Sequence, residues 1–212
     1  MKFPVPPAKP TGPLPLVVTL DVDPFQRFRE KATFAGGNIS PALSWTPGPA
    51  GTKSYALLMT DPDVPANLSL AGQPGVWIPA HAPRQTIYHW VLADIPPGLT
   101  FLSEGAESTG PVPKGKPYGP MPHGVRGINA YTQLMASDPE MAGEYGGYDG
   151  PHPPPNDLRL HHYTVRIVAL DIPTLGLSGP FTGHDVEKAI QGHILAVGED
   201  VGTFTANPNL KK

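Results

Sequence analysis

Asp61-Pro62-Asp63 sets two carboxylates two residues apart directly after the apolar run Tyr55 to Thr60, at the mouth of a predicted strand. Asp before Pro commonly starts a turn, so this spacing serves a simple turn as readily as a pair of proton-handling or histidine-orienting acids. His89 falls inside the run Ile87 to Ala93, where alternation places it on the face of Ile87 and Val91. An imidazole there either titrates near neutral pH or sits hydrogen-bonded in a core. His161 and His162 are adjacent where another strand begins, so they point to opposite faces and cannot jointly chelate one metal; His161 shares its face with Tyr163. Gly147 to Pro154 is a rigid Pro/Gly turn that presents Tyr148 and His152. The chain has no His-Glu-x-x-His, phosphate-binding Gly-rich loop, Gly-x-Ser-x-Gly or Gly-x-Gly-x-x-Gly sequence.

The elements that must position these side chains are mostly strands. Residues 16–22, 55–60 and 87–93 are short apolar runs, and from Tyr163 the chain alternates, with Val165, Ile167 and Ala169 on the tyrosine's face and Thr164, Arg166, Val168 and Leu170 on the other. Pro/Gly loops rather than helices separate these runs, which predicts antiparallel sheets. One helix is predicted near the C-terminus, where Val186, Ala189, Ile190, His193 and Ile194 repeat at helical spacing. Thr182 and Asp185 resemble a capping box before it, Gly198 sits where a C-cap is expected, and 201–205 reads as a last short strand. Residues 110–155 carry many Pro, Gly and Tyr with little periodicity, a long loop region of the kind that is more often functional than idle.

Composition narrows the function classes. Thirty prolines exclude a mainly helical protein, while 39% hydrophobic residues are enough to bury a core. A formal net charge of -3 gives no electrostatic reason to expect nucleic acid or an anionic membrane surface as partner. The absence of cysteine removes disulfides, thiolate metal sites and a cysteine nucleophile together. No apolar signal-peptide core or membrane-length run is seen, so a soluble cytoplasmic protein without membrane insertion is expected. The proline-rich segment 1–13 is expected to be an extended arm before a single domain spanning 14–212.

Taken in order, these pieces resemble the phosphatidylethanolamine-binding protein family, which includes the Raf kinase inhibitor proteins and bacterial and archaeal relatives. Asn38-Ile39-Ser40-Pro41-Ala42-Leu43-Ser44-Trp45 looks like its Asn-x-Ser-Pro-x-Leu-x-Trp stretch, and Asp61-Pro62-Asp63-Val64-Pro65 matches its Asp-Pro-Asp-x-Pro signature. Tyr88-His89-Trp90, Gly127-Ile128-Asn129, the turn from Tyr148 to Pro154, His161-His162-Tyr163 and Gly192 to Ala196 follow in the family's order. Two departures stand out. His162 replaces the family's usual arginine, which bears on an outer salt bridge, and residues 130–146 are longer than in short bacterial members, which bears on the pocket rim.

The resemblance implies a mainly β, antiparallel two-sheet sandwich with a C-terminal helix and a small anion-binding pocket at one end. It implies that Asp61, Asp63, His89, Tyr148, His152, His161 and Tyr163 bind ligand, with His89 and His161 donating to one phosphate or carboxylate group and the aspartates orienting them. The expected partner is thus a small anion, such as a phospholipid head group, nucleotide or phospho-residue, with no cofactor or metal. Regulation of a kinase or protease is known among such relatives, and homodimerisation is left open. Two further readings use the same residues: an acid/base isomerase, dehydratase or cyclase, and a site where His89, His161 and an aspartate hold a metal.

Overall fold

A computed structural model describes residues 14–210, so the predicted arm at 1–13 lies outside the described residues. In chain order the elements begin with β1 (Leu14–Pro15), β2 (Val18–Leu20), β3 (Leu43–Trp45), β4 (Ser54–Pro65), β5 (Arg84–Ile95) and β6 (Phe101–Leu102). The middle of the chain adds β7 (Gly115–Lys116), β8 (Gly119–Met121), β9 (Gly124–Arg126), α1 (Tyr131–Leu134), β10 (Glu144–Tyr145) and β11 (Gly147–Tyr148). It closes with β12 (His161–Leu170), α2 (Gly183–Ala189) and β13 (Ile194–Phe204). The segment expected to be one long loop therefore contains five short strands and a helical turn. They are two to four residues long, below the length at which periodicity can be read from sequence.

The large sheet runs β1-β13-β12-β4-β5-β9-β8, with β11 also paired to β5. A second sheet, β2-β3-β6, lies across it. Pairing is antiparallel as predicted except where β1 joins β13 and β10 joins β7. Odd-numbered residues of β12 drive the sandwich together: Tyr163, Val165, Ile167 and Ala169 pack with Tyr55, Leu57 and Met59 of β4 against Leu20, Leu43 and Trp45 of the small sheet. Even-numbered Val168 and Leu170 turn to the opposite face, where Phe181, Val186 and Ile190 cover them. The central strands are thus buried on both faces, which explains why β4 reads as an unbroken apolar run.

Near the C-terminus the helix is shorter than the sequence suggests. Asp185 accepts hydrogen bonds from the Thr182 amide (2.8 Å) and hydroxyl (2.7 Å), starting α2 where expected. However, Ile190 already caps it, and Ile194, expected on the helical face, is the first residue of β13. The turn is made by Gly192 at φ +82°, not by Gly198. Gly198 lies mid-strand, where a Cβ would come within 2.5 Å of the Leu16 carbonyl, so its lack of side chain serves close strand packing.

Candidate functional site

Three strand ends meet at one end of the large sheet. β4 arrives there with Asp61, β5 starts there with Ile87 and His89, and β12 leaves from it with His161 and Tyr163. Together they floor a cavity of about 350 Å³. Its walls come from outside the sheet: Leu68, Ala71 and Gly72 on one loop, Tyr131, Leu134 and Met135 from α1 and its end, and His152 to Pro155 on the turn after β11.

His89 reaches this floor because of a β-bulge. Met59 pairs with Trp90 and Thr60 with Tyr88, so His89 is the extra residue on β5. Strict alternation, as read from the sequence, puts His89 on the face of Ile87 and Val91. The bulge separates these two, since Ile87 lines the cavity while Val91 joins the cluster under α2. His89 and Trp90 consequently lie toward the same side, although they are neighbours in sequence.

The bulged histidine is clamped by β11. Its carbonyl accepts from the Asp149 amide (2.9 Å), and its Nδ1 lies 2.8 Å from the Asp149 carbonyl. A carbonyl can only accept, so Nδ1 carries the proton and Nε2 is left with a lone pair in the neutral ring. Nε2 is buried and has no hydrogen-bond partner in the protein. Burial pushes the His89 pKa below its ordinary value, against the pull of the Asp61 carboxylate, which keeps the ring neutral at pH 7.

Asp149 itself is held rigidly. Its carboxylate accepts from Asn38 Nδ2 (2.7 Å) and Asn129 Nδ2 (2.8 Å) and pairs with the buried ammonium of Lys116 (2.9 Å). Asn38 returns the favour by accepting from the Gly150 amide (2.8 Å). Lys116 also donates to the Tyr148 carbonyl. None of these four side chains borders the cavity; their work is to hold the backbone that orients His89.

His161 is placed differently from expectation. It lines the cavity, but its Nδ1 is 2.7 Å from Asp61 and its Nε2 3.2 Å from Asp157, so neither nitrogen is left to donate to a ligand. Burial opposes its charge, yet the two carboxylates outweigh burial and raise its pKa above the ordinary value. Asp157, in turn, is gripped by Arg84 at 2.5 and 3.0 Å. Burial would lift the Asp157 pKa, and the Arg84 and His161 bonds bring it below the usual carboxylate range. The row Asp61, His161, Asp157, Arg84 alternates in charge and sums to zero.

Tyr163 adds a second polar atom. Its hydroxyl is buried and makes no well-formed hydrogen bond, its nearest polar neighbour being the Asp61 carboxylate, and burial, reinforced by that carboxylate, holds the phenol well above its ordinary pKa. The ring stands edge-on to His89, with centroids 5.2 Å apart. Tyr131 closes the opposite side, its hydroxyl donating to the Gly150 carbonyl at 2.7 Å. His152 stands exposed at the rim beside Phe34, and desolvation there lowers its pKa.

Two of the expected ligand residues do not reach the cavity. Tyr148 is buried in the sandwich core and donates to the Ala32 carbonyl at 2.6 Å. Asp63 turns away, because β4 runs on through Pro65 with a register shift between Asp61 and Val64 instead of ending in a turn at Thr60. It binds Arg159 (2.5 Å) and both the amide (2.9 Å) and ring (2.8 Å) of His162. Burial would raise its pKa, and these bonds carry it below the usual range. The substituted His162 therefore keeps an outer hydrogen bond to that carboxylate. Among the described residues no group of three His, Asp or Glu side chains is arranged to hold a metal ion.

Asp157, Arg84 and Asn156 are functional-looking residues that sequence reading passed over. Asn156 ties down the loop that supplies Leu68, Ala71 and Gly72: its Oδ1 accepts from the Gly72 amide (2.8 Å), and its Nδ2 donates to the carbonyls of Leu70 (2.8 Å) and Val76 (2.9 Å). Asn156→Ala removes all three bonds. Amide hydrogen exchange at Gly72 should accelerate sharply, with a global stability loss of about 1–3 kcal/mol. Unchanged exchange at Gly72 would show that the loop holds itself.

A two-sheet sandwich with a small, mostly apolar cavity at the strand ends, floored by a histidine and a tyrosine, defines a class of small-ligand binding scaffold. Residues 19–205 match the model of the phosphatidylethanolamine-binding protein family, and the chain belongs to that family. It is 33% identical over 178 residues to a UPF0098 protein of Methanothermobacter thermautotrophicus, covering 84% of this chain and 90% of the relative. A UPF0098 protein of Chlamydia muridarum is likewise 33% identical over 175 residues, covering 82% and 88%. The solved structure of a putative phosphatidylethanolamine-binding protein homolog from Chlamydia trachomatis superposes with a TM-score of 0.61 at 26% identity, over 90% of this chain and 97% of that one. Escherichia coli YbcL shares the fold, with a TM-score of 0.64 at 23% identity over 90% and 98% of the chains. No helix among the described residues is long and apolar enough to cross a membrane.

Proposed function

We propose that the protein is a binding module for a small molecule that carries a phosphate or carboxylate group on an apolar body. The anionic oxygens take hydrogen bonds from His89 Nε2, once that nitrogen is protonated, and from the Tyr163 hydroxyl, and the apolar part lies against Leu68, Leu134 and Met135. The observation that carries this reading is that His89 Nε2 is buried without a protein partner and borders the cavity beside the Tyr163 hydroxyl, which has only the Asp61 carboxylate near it. A buried polar group left unpaired costs about 1–3 kcal/mol, which a ligand oxygen offsets once Nε2 carries a proton. His161 supports the site without touching the anion, since together with Arg84 it neutralises Asp61 and Asp157.

The same geometry favours binding over acid/base catalysis. A phenol held well above its ordinary pKa keeps its proton, so it remains a hydrogen-bond donor and is a poor proton-transfer acid near neutrality. Calorimetric titration with butyl phosphate and with hexanoate tests the reading. His89→Ala and Tyr163→Phe should each weaken binding by about 10- to 100-fold, while His162→Ala, whose ring faces Asp63 outside the cavity, should leave it within about twofold. Loss of binding in His162→Ala with retention in the other two would defeat this assignment.

A further inference from the structure

The ionised groups around the cavity decide what charge it can accept. Asp61 and Asp157 are matched by His161 and Arg84, Asp149 is matched by Lys116, and Asp63 is matched by Arg159. Every fixed cation near the floor is therefore already paired with a carboxylate. The groups that face the His89 ring are Asp61 from β4, His161 and Tyr163 from β12, Tyr131 from α1 and the Asp149 segment after β11, with His152 further out at the rim. None of these offers an uncompensated positive charge. Among the described residues on the floor itself only His89 can supply one, and only by binding a proton at Nε2, because Nδ1 is already engaged with the Asp149 carbonyl.

Resting on the binding reading above, we propose that the cavity is a selector of monoanions bearing an apolar tail, and that it takes up one proton from solvent on His89 Nε2 as the ligand enters. The balance is simple. One buffer proton adds to the Nε2 lone pair, and the resulting imidazolium cancels one negative charge on the ligand. A carboxylate or a phosphodiester carries a single charge and is compensated in full. A phosphate monoester dianion would bring a second charge into a cavity with no cation left to meet it, beside the Asp61 carboxylate. The tail fits the same logic, since Val64, Leu68, Ile87, Leu134, Met135 and Pro154 offer it an apolar wall.

The direction of the His89 pKa agrees with this reading. Burial keeps the ring neutral before the ligand arrives, so the proton is acquired on binding and is not present beforehand. Affinity should fall about tenfold per pH unit above the pKa of the liganded ring.

Isothermal calorimetry on the full chain near neutral pH provides the test, using dibutyl phosphate, hexanoate and monobutyl phosphate, each in several buffers that differ in ionisation enthalpy. For the two monoanions the observed enthalpy should vary with buffer so as to give an uptake of about one proton per ligand. Monobutyl phosphate as the dianion should bind at least about tenfold more weakly than the diester. Comparison of dibutyl phosphate with hexanoate tells whether the phosphodiester or the carboxylate is preferred, and tighter binding of either one is compatible with monoanion selection. His89→Gln retains an amide donor that cannot titrate, so it should bind weakly with no proton uptake. Binding of the monoanions by the unaltered protein with no buffer dependence, or equal or tighter binding of the dianion, would overturn monoanion selection and leave the binding reading standing. If none of the three anions binds, both fall.

Discussion

Asp149→Ala is expected to lose about 3–5 kcal/mol of folding stability, because it leaves the Lys116 ammonium buried without its counterion. The aspartate is fully buried and joins three separate parts of the chain: Asn38 before β3, Lys116 on β7 and Asn129 before α1. Burial already lowers the Lys116 pKa, and Asp149 is the main group opposing it. In the variant the lysine therefore folds only by giving up its proton, or by drawing water into the core. Asp149→Asn keeps the shape but loses the charge and sets an NH2 donor against one of the donors that Asp149 now accepts from, so it should cost about as much as the alanine. The double variant Asp149→Ala with Lys116→Met should recover part of the loss, since a methionine needs no counterion. Urea unfolding of the four proteins measures this. A loss below about 1 kcal/mol in Asp149→Ala would mean that the buried pair does not hold the β11 segment.

That prediction also marks the line between what could be read from the sequence and what could not. The alternation of β12 was legible because one of its faces meets the small sheet and the other meets α2, so both residue sets show in the pattern. Thr182 and Asp185 were legible because a helix start depends on local hydrogen bonds three residues apart. The helix end was not, because Ile190 and Ile194 are both apolar at helical spacing while Gly192 intervenes. His89 sits in an apolar strand pattern, yet the face it takes depends on one extra residue opposite Met59 and Thr60, a pairing that no local pattern records.

The site was legible in its members and not in their division of labour. Asp61, His89, His161, Tyr163 and His152 do border one cavity, but Asp63 is turned outward by the register shift after Asp61 and Tyr148 belongs to the core. Asp157 lies four residues before His161, close enough in sequence to have been considered. Its role depends on Arg84, 73 residues away, which holds its carboxylate against the ring. The same long-range pairing converts His161 from an expected ligand donor into a neutralising cation. Charge, unlike hydrophobic alternation, must be summed over groups that only the fold brings together.

His161 should accordingly govern how stability depends on alkaline pH. Its folded pKa lies above the ordinary value near 6.5, because Asp61 and Asp157 together outweigh the effect of burial. A raised folded pKa means that the native state holds the proton more tightly than the unfolded chain. The stabilisation is then fully present below about pH 6.5 and is lost as pH rises through the folded pKa. Melting temperature should decline over that interval. Asp157→Asn removes one of the two carboxylates that raise the folded pKa, so the decline should end at lower pH and be smaller. His161→Ala should abolish this part of the profile and cost about 3–5 kcal/mol at neutral pH, since the ring is fully buried and its removal leaves Asp61 without its cation. Thermal unfolding of the three proteins across neutral to alkaline pH, with the imidazole titration followed by NMR, checks both the sign and the residue. A profile for the unaltered protein that is flat or rising through the His161 titration would show that the ring is neutral in the folded state, and that the carboxylates flanking it are balanced by Arg84 alone.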